Sequence, residues 1–252
     1  MRYFKLFLMI LSLSLLTACS KSTLTQDPAQ QYQGYTAERL YIKGEKLLAS
    51  RNYKSAVTVY EALQSLYPFG GYAEKGQLNL IYAYYKAGDY ASAEAAAEQY
   101  IQVYPRSKHV DYAYYMKGLA DYYSSRTWVQ RALPIDMSAR DLTTAKQAFY
   151  DFRQLVQFFP NSRYAADAKQ RMIALRDMFA QHELTVAQYY FKRKAYVASA
   201  NRASYLLRHY ASTPQVKPAL IILVRSNEKL GLTKAANEAR QVLELNYPGT
   251  KV

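Results

Sequence analysis

Apolar and polar positions along this chain fall into a repeating figure. Five stretches end in an aromatic residue followed by proline or alanine: Tyr67-Pro68, Tyr104-Pro105, Phe159-Pro160, Tyr210-Ala211 and Tyr247-Pro248. Twelve residues before each second member stands a small residue: Ala56, Ala93, Ala148, Ser199 and Ala236. Five residues before it stands a large one: Leu63, Tyr100, Leu155, Leu206 and Leu243. In "DYASAEAAAEQYIQVYP" this puts Ala93, Ala97 and Tyr100 at i, i+4 and i+7, on one face of a helix. The small member lets a neighbouring helix come close, the large one fills the space beyond, and proline disfavours helix at the residue before it.

Upstream of each such helix lies a second periodic segment. "AEKGQLNLIYAYYKAGD" precedes the second, with Gly88-Asp89 as the turn between. "TAERLYIKGEKLLASRNY" precedes the first, with Gly44 at the helix crossing. Fixed columns spaced 37, 55, 51 and 37 residues apart mark an internal repeat of helical hairpins, similar to the tetratricopeptide (TPR) repeat of about 34 residues. The third copy carries an insertion at about 124–142 that holds Trp128, the sole tryptophan. The fourth is preceded by an extra helix, "YAADAKQRMIALRDMFAQ", and its closing proline is replaced by Ala211, which predicts a softer boundary. The fold predicted is all-α, an α-solenoid of about five hairpins: repeats 1–3 over 35–160, and repeats 4–5 with the extra helix over 161–252.

The first 34 residues break the pattern. Arg2 and Lys5 precede an apolar run, Leu6 to Leu16, interrupted only by Ser12 and Ser14. That is the form of a secretory signal peptide over 1–18, too short to span a bilayer. It ends in Leu-Thr-Ala-Cys, and Cys19 is the only cysteine of the chain. One thiol makes no intrachain disulfide and no Cys-rich metal site. Leu16 to Cys19 resembles the lipobox of bacterial lipoproteins, which implies acylation of Cys19 as the first mature residue. Each buried acyl methylene contributes about 0.8 kcal/mol, so several chains give stable anchoring. Ser20, rather than Asp, follows the cysteine; by the same resemblance the anchor lies in the outer membrane, on its periplasmic face. Residues 19–34 then read as the acylated cysteine and a flexible polar tether.

Composition fits an ordered helical chain: 27 Tyr against 9 Phe, with few Gly and Pro. Without the two cations of the signal, 31 Lys and Arg face 19 Asp and Glu, a mature charge of +12. Acidic partners suit that balance, but the cations are scattered, "FKRK" at 191–194 being the densest cluster, and no continuous stripe for nucleic acid is visible. Catalytic signatures are missing. His109, His182 and His209 show no ligand spacing; no phosphate-cradling glycine motif or GxSxG is present; Asp136 and Asp141 in the insertion read as braces. Tyr82, Tyr84, Tyr85, Tyr112, Tyr114, Tyr115, Tyr189 and Tyr190 are expected to pack within or between hairpins, some of them being equally able to line a groove.

"YPFGGY" (67–72), "LIYAYYK" (80–86), "DYAYYMKGL" (111–119), "FYDFRQLVQFFPNSRY" (149–164), "VAQYYFKRKAYVA" (186–198) and "NRASYLLRHY" (201–210) are similar to the BamD, or ComL, family. These are TPR lipoproteins of the outer-membrane β-barrel assembly (BAM) machinery; Ala211 and the loosely matching last repeat depart from the pattern. The resemblance implies a non-enzymatic scaffold without cofactors, apart from lipid on Cys19. Its implied partners are the POTRA domain of BamA, other BAM lipoproteins and unfolded outer-membrane proteins. It places the BamA contact at Arg202, framed by Tyr189, Tyr190 and Arg193, and an aromatic platform for client C-termini at Tyr67, Phe69 and Tyr72. Competence or DNA uptake, and a peptidoglycan-associated structural role, are the alternative functions.

Overall fold

The computed structural model describes residues 27–124 and 142–252. The signal peptide, Cys19, Trp128, Asp136, Asp141 and nearly all of the insertion lie outside the described residues. Eleven helices and no strand occur among the described residues: α1 (Pro28–Gln31), α2 (Ala37–Ala49), α3 (Tyr53–Leu66), α4 (Gly71–Ala87), α5 (Tyr90–Val103), α6 (Val110–Ser124), α7 (Thr143–Phe158), α8 (Ala165–Lys192), α9 (Tyr196–His209), α10 (Val216–Lys229) and α11 (Thr233–Asn246). From α2 onward each helix packs on the next, and first helices of successive hairpins also touch: α2 on α4, α4 on α6, α8 on α10. That neighbour-only pattern is a solenoid.

All ten members of the two sequence columns are buried. The large column also ends each second helix. Tyr67, Tyr104, Phe159, Tyr210 and Tyr247 each donate their N–H to the carbonyl of Leu63, Tyr100, Leu155, Leu206 and Leu243, at φ between −123° and −142°. Tyr210 does this without a following proline, so the boundary expected to be soft is as sharp as the others. A further column supports the turn: Ser107, Ser162, Thr213 and Thr250 each return an N–H to the carbonyl of the closing aromatic residue.

Within a hairpin the two helices join through a left-handed residue: Arg51, Gly88, Lys194 or Gly231, at φ between 59° and 83°. The next N–H reaches back five residues to close the first helix, as Asn52 does to Leu47 at 2.9 Å and Asp89 to Tyr84 at 3.0 Å. Hairpin three differs, since residues 125–142 separate its helices.

Two expectations need correction. The tether is structured from Asp27, whose side chain caps α1, with Pro28 opening that helix; Tyr32 is then buried against hairpin one. The extra helix and the first helix of hairpin four are one 28-residue helix, α8, about 42 Å long. No glycine or proline interrupts 165–192, so nothing ends the helix between its half on hairpin three and its half on α9.

The seam inside each of the first three hairpins is set by complementary volumes. A Cβ at Gly44 of α2 would come within 2.4 Å of the Tyr60 ring of α3, and one at Gly118 of α6 within 2.8 Å of Phe152 of α7. In the equivalent columns of hairpin two the bulk is exchanged, with Ile81 on the first helix and Ala97 on the second, both buried in one cluster. Tyr60 is fully buried and its hydroxyl accepts from Asn79 at 2.9 Å, so the ring has nowhere to go. Helix propensity alone favours Gly44→Ala by about 1 kcal/mol, whereas overpacking costs about 1–3 kcal/mol. We expect net destabilisation, read as a lower urea midpoint at unchanged m value.

Candidate functional site

The structure places the predicted site residues in two separate regions of the array, around the junction of hairpins one and two and in hairpin four. In the first region, the loop between α3 and α4 carries Phe69, 86% exposed and so unpaid by any burial in this chain. Tyr72, in the first turn of α4, is partly exposed and its ring lies 5.5 Å from that of Tyr41 on α2. Partial burial and Glu38 together raise the Tyr72 phenol above its ordinary range. Tyr67 separates from the other two. It is half-buried, and its hydroxyl donates to the Tyr35 carbonyl at 2.6 Å, tying the end of hairpin one to its start. Tyr67 is therefore a brace in this structure, and Phe69, Tyr72 and Tyr41 form the aromatic surface.

Beside it lies an open cavity of about 420 Å³, lined by Tyr35, Thr36, Glu38, Arg39, Ile42, Lys43 and Lys46. Three cations face one carboxylate there. Arg39 lies 4.2 Å from the Tyr35 ring centre and Lys43 5.9 Å from that of Tyr32, so aromatic neighbours hold them. The sequence reading missed this cationic stripe. Its signal was legible, since Arg39, Lys43 and Lys46 stand at i, i+4 and i+7 on α2.

In the second region, Tyr189 and Tyr190 close α8 with rings 5.7 Å apart, and Arg193 lies 5.8 Å from the Tyr189 ring centre. Tyr189 is 56% exposed. Arg202 is not in the same cluster. Its guanidinium donates to Glu183 of α8 at 3.1 Å, and Glu183 precedes Tyr189 by six residues, about 9 Å along the axis. Arg202 remains half exposed, so it offers a charge to a partner from a fixed position. Two cavities flank this region. One, about 360 Å³, is lined by Gln188, Phe191, Lys192, Pro218, Ile221, Ile222 and Arg225. A larger one, about 490 Å³, opens between α9, α10 and α11. On α11, Leu245 is 84% exposed. These apolar positions escaped the sequence reading because their column matches the repeat only loosely.

Tyrosine hydroxyls join neighbouring helices through the middle of the array. Tyr100 of α5 donates to Glu74 of α4 at 3.0 Å, Tyr84 of α4 to Glu61 of α3, and Tyr115 of α6 to Asp167 of α8 at 2.7 Å. Burial, with the neighbouring acids, pushes the Tyr100 and Tyr115 phenols up to about 12. Among the described residues no group of three His, Cys, Asp or Glu side chains could hold a metal ion, and no helix is long and apolar enough to cross a membrane.

Stacked helical hairpins with an aromatic and cationic surface in each of two regions define an α-solenoid of the tetratricopeptide kind. The sequence matches the model of the YfiO family, described as outer membrane lipoproteins, over residues 33–243. It is 39% identical over 245 residues to the outer membrane protein assembly factor BamD of Neisseria meningitidis serogroup A, covering 97% of this chain and 92% of the relative. Against BamD of Vibrio cholerae the identity is 37% over 239 residues, covering 94% and 96%. Against BamD of Xylella fastidiosa strain Temecula1 it is 36% over 234 residues, covering 93% and 78%. The chain belongs to the YfiO/BamD family.

Arg202 and Glu183 provide a local check. With Arg202 half exposed, the pair should couple by about 0.5–1 kcal/mol in a double-mutant cycle of Arg202→Ala and Glu183→Gln, measured by urea unfolding. A coupling of several kcal/mol would mean that Arg202 is a buried structural ion rather than one presented to a partner.

Proposed function

We propose that this chain is a lipid-anchored, non-enzymatic scaffold of outer-membrane protein assembly, held by acylated Cys19 at the periplasmic face of the outer membrane. The observation that carries this reading is the family match across 33–243, shared with relatives named as outer membrane protein assembly factors. In this reading hairpin one receives the C-terminal segment of an unfolded client. Phe69 and Tyr72 supply an apolar face for a terminal aromatic side chain, and Arg39, Lys43 and Lys46 supply cations for the chain-terminal carboxylate. The second region engages the POTRA domain of BamA. There Tyr189, Tyr190 and Arg193 form an aromatic patch beside a cation, and Arg202 adds a charge one to two turns away. Tyr and Arg side chains with this mix of apolar area and fixed donors dominate the energetics of many protein interfaces.

Two measurements bear on the reading. A client C-terminal peptide ending in an aromatic residue should bind at least about tenfold more tightly as the free acid than as the amide, because amidation removes the charge that the α2 cations meet. Equal affinity for the two forms, or binding retained in full by Phe69→Ala, contradicts the assignment of hairpin one. Separately, Cys19→Ser should move the protein from the membrane fraction to the soluble periplasmic fraction. Unchanged membrane association after salt extraction contradicts the anchor.

A further inference from the structure

Hairpin three contains a group of charges that the proposed function does not use. Asp121, in the last turn of α6, and Asp151, in the middle of α7, are both buried, Asp151 completely. Asp121 lies beside Asp151 across the α6–α7 seam, close enough for the two carboxyl groups to act on each other. One oxygen of each, Oδ2, is enclosed and has no hydrogen-bond partner. Asp151 Oδ1 accepts from Gln147 at 3.2 Å and lies 3.4 Å from Lys117 Nζ. Lys117 in turn donates to Glu98 of α5 at 2.6 Å. The acids therefore outnumber the cation: Glu98 on α5, Asp121 on α6 and Asp151 on α7 share Lys117, and Glu94 on α5 adds its charge to Asp121. Arg171 of α8 lies nearby but is occupied by Asp167 and by the rings of Tyr122 and Tyr123. On α4, which also touches α6, Glu74 accepts from Tyr100 and Lys86 lies over Tyr53 and Tyr82.

Two carboxylates cannot donate to each other, and two enclosed acceptors face to face repel. A single proton shared by the pair removes that repulsion and supplies the donor that two ionised carboxylates lack. The site lies in the one hairpin whose helices are not joined by a two- or three-residue connection. The other four close through the left-handed turn at Arg51, Gly88, Lys194 or Gly231. In hairpin three the chain leaves α6 at Ser124, three residues after Asp121, and returns at Leu142.

We propose that a proton shared by Asp121 and Asp151 clamps α6 to α7, fastening the seam of the one hairpin whose helices no tight turn joins. Burial first, then the Asp151 hydrogen bond and the charges of Glu94 and Asp151, against the opposing Lys117, push the Asp121 carboxyl up to about 8. The ordinary carboxyl of the unfolded chain titrates near 4. Between these values the folded chain holds a proton that the unfolded chain lacks. The contribution to stability is complete below pH 4, and it is lost as pH rises through about 8. The slope is at most about tenfold in the folding constant per pH unit. At neutral pH the clamp is closed; alkali opens it.

Asp121→Asn tests this in the full chain, because its amide donates permanently to Asp151 and cannot titrate. Urea midpoints of both proteins are measured from pH 5.5 to 9. The wild type is expected to lose stability relative to Asp121→Asn as pH rises, so that the variant is the more stable at pH 9 and the difference narrows steadily toward pH 5.5. Parallel pH profiles overturn the proposal. Should the variant fail to fold, ¹³Cγ chemical shifts of the aspartates in the wild type decide. One carboxyl of the pair titrating between pH 7 and 9 supports the clamp, and both titrating below pH 5 overturn it.

Discussion

The structure depends on how closely two helices can approach inside one hairpin. At that seam a small residue on one helix meets a large one on the other: Gly44 against Tyr60, Gly118 against Phe152, with Ile81 and Ala97 holding the equivalent columns in reversed sizes. Volume is conserved while the bulk changes sides, which is what close-packed interiors require. Because each hairpin is fixed internally, it stacks on its neighbours through the same columns. The array then holds the loop of Phe69 and the last turn of α8 at separate, defined places.

Much of this could be read from sequence because solenoid packing is local. Ala56, Ala93, Ala148, Ser199 and Ala236 recur where helices approach, and Leu63 and its counterparts recur where the gap must be filled. The closing proline proved to be one sufficient signal among others. Tyr210 ends α9 in the same conformation before Ala211, since its N–H meets the Leu206 carbonyl and Thr213 donates back to its own carbonyl from both N–H and Oγ1. The reading failed where a pattern is absent rather than present. Nothing punctuates 165–192, so one helix replaced the two expected. The Asp27-Pro28 start of α1 was overlooked inside a polar stretch whose anchor, Tyr32, is a single buried ring.

At the candidate positions the exposure of a residue type was legible and its contacts were not. Phe69 and Tyr189 are exposed as a binding surface requires, yet Tyr67 is committed to the Tyr35 carbonyl and Arg202 to Glu183. Such commitments come from contacts 32 and 19 residues apart in sequence, which no local pattern announces. The preference for tyrosine over phenylalanine has the same origin. Its ring fills the seam while its hydroxyl binds an acid on another helix, as Tyr100 does with Glu74 and Tyr115 with Asp167. The array is thereby tied together by polar contacts at the edges of an apolar core.

The central claim is that one rigid array holds two different partners at its two separate regions. Photo-crosslinking residues placed singly at positions 69 and 189, in otherwise wild-type protein in intact cells, test it most directly. Position 69 is expected to capture the C-terminal segment of unfolded outer-membrane proteins, and position 189 to capture BamA, each without the other's product. Capture of one and the same partner at both positions would contradict the account.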